Sequence, residues 1–296
     1  MNSNQDLLLP KPPRRLERSL NSHETLSQRN DRTKRYWAEG GFDSDLIQNR
    51  LENARITVVG VGGLCCPALE SLVRMGVGVD GGITIIDGDF VEESNLNRQR
   101  LFSEEQVGMK KALAATERLK EIDRNSHIIT RPHFFKSCDE LGQLWSHEED
   151  FAFADVIISG VDSDGTRLEV TQKALRYGKP HLDGAVDVNV GRILILRNPR
   201  DEACFGCVIT DDNYEAINDR WGCKHLPQAP VPSIATTVSI VGEVLAFETI
   251  KLIAGIGTVI DNALYFNVLD WTTGIEQFKK RENCHTCSWP WWNRQC

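Results

Sequence analysis

Three glycines stand where an apolar run ends and a helical pattern begins: Gly60, Gly62 and Gly63 in "ITVVGVGGLCCPALE". A turn of this kind lets backbone N–H groups approach phosphate oxygens, and the N-terminus of the next helix adds partial positive charge. Asp87 closes the following apolar run, where a carboxylate can accept hydrogen bonds from ribose hydroxyls. These features predict a nucleotide site, and alone they fit a dinucleotide as well as ATP.

The segment that begins at Asp87 carries more polar and cationic groups than a ribose pocket needs. In "DGDFVEESNLNRQRLFSEEQVGMKKA", Arg98 can clamp phosphate oxygens in a bidentate fork, and Lys111 supplies a compact positive charge. Such a pair suits a triphosphate. The alternative is a solvated loop followed by an exposed helix. The candidate nucleotide-binding side chains of this segment are Asp87, Asp89, Asn95, Asn97, Arg98, Gln99 and Lys111.

Four cysteines have the spacing of metal ligands. Cys204 and Cys207 form one CxxC pair, and Cys284 and Cys287 form a second pair near the C-terminus. Two such pairs predict a tetrahedral zinc site, which is structural because all four ligands come from the protein. A disulfide or a redox pair is the alternative.

Cys223, in "DRWGCKHLPQAP", is the candidate nucleophile. Lys224 and His225 follow it, and nearby positive charge favours the reactive thiolate. A structural or incidental loop cysteine is the alternative interpretation. We expect Cys65 and Cys66 to be small packing residues under the glycine turn.

From Arg55 onward, apolar strands alternate with amphipathic helices. This pattern predicts an α/β fold with a Rossmann-like, doubly wound and mostly parallel sheet. An irregular crossover segment, about 208–233, precedes the apolar helix "TVSIVGEVLAFETIKLIAG" and two further strands. We expect a flexible N-terminal arm over 1–34, one ATP-binding domain over 35–287 and a Trp-rich tail over 288–296.

Composition narrows the class of protein further. The chain of 296 residues has a net charge of −8, and no basic run carries interleaved aromatic residues, so we expect no nucleic-acid partner. No signal peptide and no stretch long enough to span a bilayer is found, which predicts a cytoplasmic protein without a membrane partner.

In their order along the chain, these motifs resemble those of the ThiF/MoeB/HesA-type adenylyltransferases, a family that includes the activating enzymes for ubiquitin-like proteins. The resemblance extends from about Arg32 to Cys287. Within the family, the compact homodimeric activator of the ubiquitin-fold modifier looks most similar. The matching stretches are "GVGGLC", "DGDFVEESNLNRQ", "GMKK", "SGVDSDGTR", "CFGC", "VGEVLAFETIKLIAG" and "CHTC".

The resemblance implies a role for each matching residue. Gly62 and Gly63 would hold the phosphates of ATP, and Asp87 would hold the ribose. Arg98 and Lys111 would contact the triphosphate.

The resemblance also assigns Asp162 to a magnesium ion near the reacting phosphate, and it implies that Arg32 reaches across a homodimer to the ATP of the other subunit. Two positions depart from the family pattern. Cys65 replaces the usual third glycine, and Ser163 replaces an Asn that commonly follows the magnesium aspartate.

The activity that the resemblance implies is ATP-dependent adenylation of the C-terminal glycine carboxylate of a ubiquitin-like protein, followed by transfer to Cys223 as a thioester and on to a conjugating enzyme. The alternative ends at the adenylate, on a sulfur-carrier protein of the thiamine or molybdopterin type or on a peptide. A nicotinamide-dependent oxidoreductase and a non-catalytic partner subunit are further hypotheses. Adenylation needs no general base, because the carboxylate is already a nucleophile.

Overall fold

The computed structural model describes residues 28–135, 147–199, 201–209 and 232–288. The described strands are β1 (Arg55–Val59), β2 (Gly82–Ile86), β3 (Ile128–Arg131), β4 (Val156–Ser159), β5 (His181–Asp187), β6 (Val190–Leu196), β7 (Ala263–Asn267) and β8 (Thr273–Glu276). The described helices are α1 (Asp31–Glu39), α2 (Ser44–Asn53), α3 (Cys65–Arg74), α4 (Lys111–Ile122), α5 (Glu148–Ala152), α6 (Asp164–Tyr177), α7 (Phe205–Val208) and α8 (Ala235–Ala254), with 3-10 turns at Glu93–Asn95 and Glu104–Gln106.

The strands form one sheet in the order β3-β2-β1-β4-β5-β6-β7-β8. Neighbouring strands from β3 to β5 are parallel, and those from β5 to β8 are antiparallel. The chain therefore runs outward from β1 to β3 and returns to place β4 beside β1. Ligands of open α/β sheets bind at such a reversal, outside the carboxyl ends of the strands.

Both faces of the parallel strands are covered, which explains their continuous apolar sequences. In β1, Ile56 and Val58 join a core with residues of α3, α4 and α8, whereas Val59 points to the opposite face and packs with residues of α5 and α6. This arrangement confirms the predicted α/β, Rossmann-like, doubly wound and mostly parallel sheet. Cys65 and Cys66 are fully buried in the first core, which confirms their expected packing role.

Helix α8 lies against α3 and the strands β5 and β6. A side chain at Gly242 would collide with the Leu64 carbonyl oxygen and would lie 2.5 Å from Pro67 Cγ, so this glycine allows the close helix crossing. Gly255 ends the helix in the left-handed conformation that favours glycine. Although α8 is apolar, no helix in the described ranges is long and apolar enough to cross a membrane.

Several expected elements have other bounds or lie outside the description. The strand expected over "HIITRPHFF" ends at Arg131, and the last strand ends at Glu276, before "FKKR". The helix expected through "CDELGQLW" and most of the crossover segment lie outside the described residues. Helix α1 begins at Asp31, within the range 1–34 expected to be an arm, and the structure describes nothing before residue 28.

Candidate active site

The glycine turn is fixed at the point where the strand order reverses. Gly60 has φ +86°, and a side chain there would place its Cβ 2.9 Å from the Gly160 carbonyl oxygen in the loop after β4. Gly60 N–H donates to Ile86 O at 2.9 Å, and Gly160 N–H donates to Val59 O at 3.1 Å. Only glycine satisfies both the conformation and the close approach.

The other two glycines of the turn have different surroundings. A Cβ at Gly62 would meet only Gly160 O, at 3.8 Å, whereas a Cβ at Gly63 would lie 3.2 Å from Val238 of α8. Gly62 therefore borders space that a phosphate can enter, and Gly63 allows α8 to pack. No side chain caps the N-terminus of α3 in the described structure, so its N–H groups can serve a ligand.

Asp87 links the glycine turn to the loop after β2. Its side chain is 9% exposed, and its two oxygens accept from Val61 N–H at 2.7 Å and Asp89 N–H at 2.8 Å. Burial raises the pKa of the Asp87 carboxyl, an effect that the charge of Lys111 and the two N–H donors oppose. A carboxylate offers about four acceptor positions, so Asp87 can still accept from a ribose hydroxyl.

Lys111 is the first residue of α4 and is only 8% exposed. Its Nζ lies 3.1 Å from Asp89 Oδ2. The neighbouring Lys110 turns elsewhere, donating to Gly88 O and lying 3.9 Å from the centroid of the Phe90 ring. The alternative in which Lys111 begins an exposed helix is therefore wrong, and its positive charge is held against the carboxylates of the site.

Asn95 organises the loop that carries the remaining polar candidates. It is 6% exposed, and its Oδ1 accepts from Glu92 N–H at 3.2 Å in a reciprocal cap of the 3-10 turn. Its carbonyl oxygen accepts from the N–H groups of Arg98 and Gln99, at 3.0 and 2.9 Å. Gln99 is also buried, and its Oε1 has no hydrogen-bond partner in the described part of the chain.

Arg98 is half-buried and is held by one nitrogen. Nη1 donates to Ser94 O at 2.9 Å and to Asn97 Oδ1 at 2.8 Å, while Asn97 itself is exposed. The other N–H groups of the guanidinium meet no acceptor among the described residues. Asn95 and Asn97 thus serve to position the loop and Arg98, whose remaining donors can bind an anion.

Asp162 lies two residues after Gly160 and is exposed, without an ion-pair partner in the described ranges. Ser163 caps the N-terminus of α6, because its Oγ accepts from Thr166 N–H at 3.4 Å. The serine at this position therefore works as a helix cap, which explains how α6 can begin without the Asn of the family pattern. The carboxylate of Asp162 remains available to a cation.

Arg32, which is also expected to act in catalysis, is not part of this site in the described structure. Arg32 is exposed on α1, and within the described residues it forms no hydrogen bond or ion pair with the glycine turn or with Asp162. Cys223 lies outside the described residues.

The four cysteines of the two CxxC pairs meet in space. Their sulfur atoms lie within 4.8 Å of one another, with Cys204–Cys207, Cys204–Cys284 and Cys207–Cys287 separations of 3.9, 3.8 and 3.5 Å. Four ligands at about 2.3 Å from a tetrahedral zinc ion are separated by about 3.8 Å. The cluster, which joins α7 to the C-terminal turns, can therefore hold a metal ion.

A buried ionic network, which the sequence motifs do not single out, lies beside the loop of Asp162. The Asp183 carboxylate, 1% exposed, pairs with Arg167 and lies 3.1 Å from Arg192 Nη2. Arg167 also donates to Val161 O, directly before Asp162, and to Gly184 O at 3.0 Å. A charged residue inside the apolar strand "PHLDGAV" is the signal that could have revealed this network.

Ser159 and His181 complete the network. Ser159 Oγ donates to Asp183 Oδ1 at 2.7 Å and contacts His181 Nε2 at 2.8 Å. Because the serine hydrogen is used on the carboxylate, Ser159 accepts from His181 Nε2–H. Burial lowers the pKa of His181 to about 4, an effect that Asp183 opposes and Arg167 reinforces, so the ring is neutral.

Comparison with known proteins identifies the family. The family model described as "ThiF family" matches residues 32–289, and the chain belongs to this family. A MOCS3 adenylyltransferase and sulfurtransferase of Drosophila willistoni is 29% identical over 256 residues, which cover 81% of this chain and 50% of that protein. A sulfur carrier protein adenylyltransferase of Thermus thermophilus is 29% identical over 251 residues, covering 81% of this chain and 84% of that protein. The chain thus spans about half the length of the MOCS3 relatives that it matches.

Solved structures agree on the fold. MccB of E. coli with MccA-N7isoASN superposes with a TM-score of 0.70 at 19% identity, covering 88% of this chain and 74% of that chain. MccB with ATP gives a TM-score of 0.68 at 19% identity over the same shares of the two chains. PaaA gives 0.68 at 22% identity, covering 88% of this chain and 85% of that chain.

Proposed function

We propose that this chain uses ATP to adenylate the C-terminal carboxylate of a small carrier protein of the ubiquitin-like or sulfur-carrier class. One observation carries the proposal: the buried Lys111 lies 3.1 Å from Asp89 Oδ2, in the loop that Asp87 ties to the glycine turn. A buried cation in that place suits a triphosphate better than a dinucleotide. The names of the relatives, adenylyltransferases of sulfur-carrier proteins among them, support the same activity.

In the proposed reaction, a carboxylate oxygen of the carrier attacks the α-phosphorus of ATP. The bond from that phosphorus to the β-phosphate oxygen breaks, and pyrophosphate leaves with the electron pair. The chain has to align two anions and neutralise the charge that builds on the leaving group. The N–H groups at the glycine turn, Arg98 and Lys111 supply donors for this purpose. Magnesium, when bound, adds positive charge at the phosphates, and Asp162 would hold it.

The test is carrier-dependent exchange of labelled pyrophosphate into ATP, with candidate carriers that end in Gly-Gly. Lys111→Ala should lower the exchange rate by about 100-fold, because it removes a buried charge at the phosphates. Lys110→Ala is the matched control, since its amine is directed to Gly88 O, and it should change the rate by less than about threefold. Tight NAD binding without magnesium dependence, or equal losses in the two variants, would contradict the proposal.

A second proposal concerns the fate of the adenylate. Transfer to Cys223 is supported by the adjacent Lys224 and His225, which favour the thiolate. A reaction that stops at the adenylate is supported by the sulfur carrier protein adenylyltransferase, of which this chain covers 84% of the length. The Cys223→Ala variant decides between them. Pyrophosphate exchange should survive under either mechanism. If the carrier is transferred to Cys223, the native chain forms a carrier thioester that a reducing agent cleaves, and the variant does not. A conjugating enzyme would be the next acceptor in that mechanism.

We further propose that the four-cysteine cluster binds zinc in a structural role, and that the chain works as a homodimer in the cytoplasm. Thiolate ligands select zinc, and the sulfur separations fit tetrahedral coordination. A reducing compartment keeps such thiols available to the metal. The homodimer would give a role to Arg32, which is exposed and makes no ion pair with any described residue.

A further inference from the structure

Arg192 of β6 is the member of the buried ionic network that solvent can reach. Its side chain is 21% exposed, whereas Asp183 and Arg167 are 1% and 7% exposed. The guanidinium carbon lies 5.2 Å from the centroid of the Phe205 ring in α7, within the range of a cation–π contact. Arg192 Nε is buried and has no hydrogen-bond partner in the described part of the chain.

Among the described residues, the charges of the network do not balance. A single buried carboxylate, that of Asp183, is shared by two guanidinium groups, and the His181 ring is neutral. Asp164 Oδ1 lies 3.7 Å from Arg167 Nε, but this side chain is 54% exposed and its charge is screened by water. Arg192 is therefore only partly neutralised, and an anion that reaches it can form charge-assisted hydrogen bonds.

The register of the sheet places Arg192 at the same edge of the sheet as the loop of Asp162. Ser159, the last residue of β4, is level with Asp183 on β5, and Ala185 is level with Arg192 on β6. Arg192 thus lies two residues beyond the end of β4, at the height of Val161, with β5 between the two strands. Asp183 and Arg167 link it to the Val161 carbonyl oxygen, directly before Asp162. Asp183 and Arg192 occupy the same face, because they contact each other directly.

We propose that Arg192 binds the terminal carboxylate of the carrier before adenylation. This assignment rests on the proposed function. The reaction brings two anions together, ATP and the carrier carboxylate, and Arg192 is the group that would bind the carboxylate. Arg192 forms no covalent bond in the step: it holds the carboxylate by charge-assisted hydrogen bonds and loses much of that attraction when the oxygen becomes part of the neutral acyl linkage.

The test compares two forms of one carrier, chosen because it supports pyrophosphate exchange: the natural carboxylate and a C-terminal carboxamide that cannot be adenylated. Calorimetry without nucleotide should show that the native chain prefers the carboxylate by about tenfold or more, as expected for a hydrogen-bonded ion pair. Arg192→Gln should abolish this preference and raise the KM for the carrier, while the KM for ATP changes by less than about twofold. Arg192→Lys should restore part of the preference.

Two variants separate carboxylate binding from a purely structural role. Asp183→Asn keeps Arg192 and removes its internal partner, so the preference should persist or increase; a loss equal to that of Arg192→Gln would overturn the proposal. Arg176→Gln, on the exposed part of α6, should leave the preference unchanged. Equal binding of both carrier forms by the native chain would also overturn it. If no carrier supports pyrophosphate exchange, both the proposed function and this assignment are wrong. If exchange occurs but the preference for the carboxylate over the carboxamide does not depend on Arg192, only this assignment is wrong.

Discussion

At the scale of single residues, burial separates side chains that the sequence presents as equivalent. Lys110 and Lys111 are adjacent and have the same chemistry, yet one amine lies over the Phe90 ring and the other over the carboxylate of Asp89. The difference arises because Lys111 begins α4 on its buried side, while Lys110 pairs with Phe90 in an isolated β-bridge. The same principle selects Asp183, a carboxylate inside an apolar strand, as a functional candidate.

His181 gives a prediction at this scale. Burial lowers its pKa from 6.5 to about 4, so the folded chain keeps the ring neutral where the unfolded chain takes up a proton. The stability from the neutral ring is therefore present above pH 6.5 and is lost as the pH falls toward 4. The loss should approach about 3 kcal/mol, measured by urea unfolding at each pH.

His181→Gln should remove this part of the pH dependence while lowering stability at pH 7. His127→Gln is the control, because His127 lies before β3 and outside the buried network, and the pH dependence that comes from His181 should persist in this variant. An unaltered pH profile in His181→Gln would show that other groups cause the acid sensitivity.

At the scale of elements, the turn between β1 and α3 combines two requirements that can be tested separately. Gly60 and Gly41 have nearly the same conformation, with φ +86° and +81°. A Cβ at Gly60 would lie 2.9 Å from Gly160 O, whereas a Cβ at Gly41 would meet no atom within 4 Å. The two glycines therefore share the backbone strain of a substitution but not the collision.

Gly41→Ala should lower the free energy of unfolding by about 1–2 kcal/mol, the cost of a left-handed alanine. Gly60→Ala should cost more, because the turn has to move away from β4, and it should also weaken ATP binding in calorimetry. Equal destabilisation by the two substitutions would show that the contact between the turn and the β4 loop is easily relaxed.

At the scale of the whole molecule, periodic apolar strands and the order of motifs were enough to predict the sheet, since a parallel sheet buried on both faces imposes that pattern. The two CxxC pairs likewise predicted which thiols meet. The Arg167–Asp183–Arg192 network could not be predicted, because its members lie on one helix and two strands and meet only once strand register is known. The sequence shows that Ser163 departs from the family pattern. Its role as a helix cap could be recognised only once the structure showed where α6 begins.

The cysteine cluster predicts how the whole chain responds to loss of metal. It ties α7 to the turns after Arg281, and a side chain at Gly206 would collide with Thr286 Oγ1, so the two loops are in close contact. Chelation should therefore lower the melting temperature by several degrees and release about one zinc ion per chain. Cys284→Ser should reproduce both effects. Cys66→Ser, at a buried thiol outside the cluster, should keep the metal, and equal zinc content in the two variants would exclude the cluster as the site.

The proposed homodimer predicts complementation between inactive subunits. If the proposed roles are right, Arg32→Ala and Asp162→Ala should each abolish exchange. The first would remove the arginine that reaches the neighbouring ATP, and the second would remove the carboxylate that holds magnesium. In a mixed dimer, the Arg32→Ala subunit keeps Asp162 and receives an intact Arg32 from its neighbour, so one of the two sites is complete. Co-refolded variants in equal amounts should regain about a quarter of the native exchange rate, since half of the dimers are mixed and half of their sites work.

The control for this experiment places both substitutions in one subunit and mixes it with native chain. Every mixed dimer then has one site that lacks Asp162 but receives Arg32, and another that keeps Asp162 but receives alanine, so mixed dimers should be inactive. Two outcomes would contradict the proposal: activity of the co-refolded single variants although mass spectrometry shows no mixed dimers, or no activity although it shows mixed dimers. Arg32 would then act in its own subunit's site or in no site. Arg32 is exposed on α1, and this complementation tests the proposal that it reaches the ATP of the partner subunit.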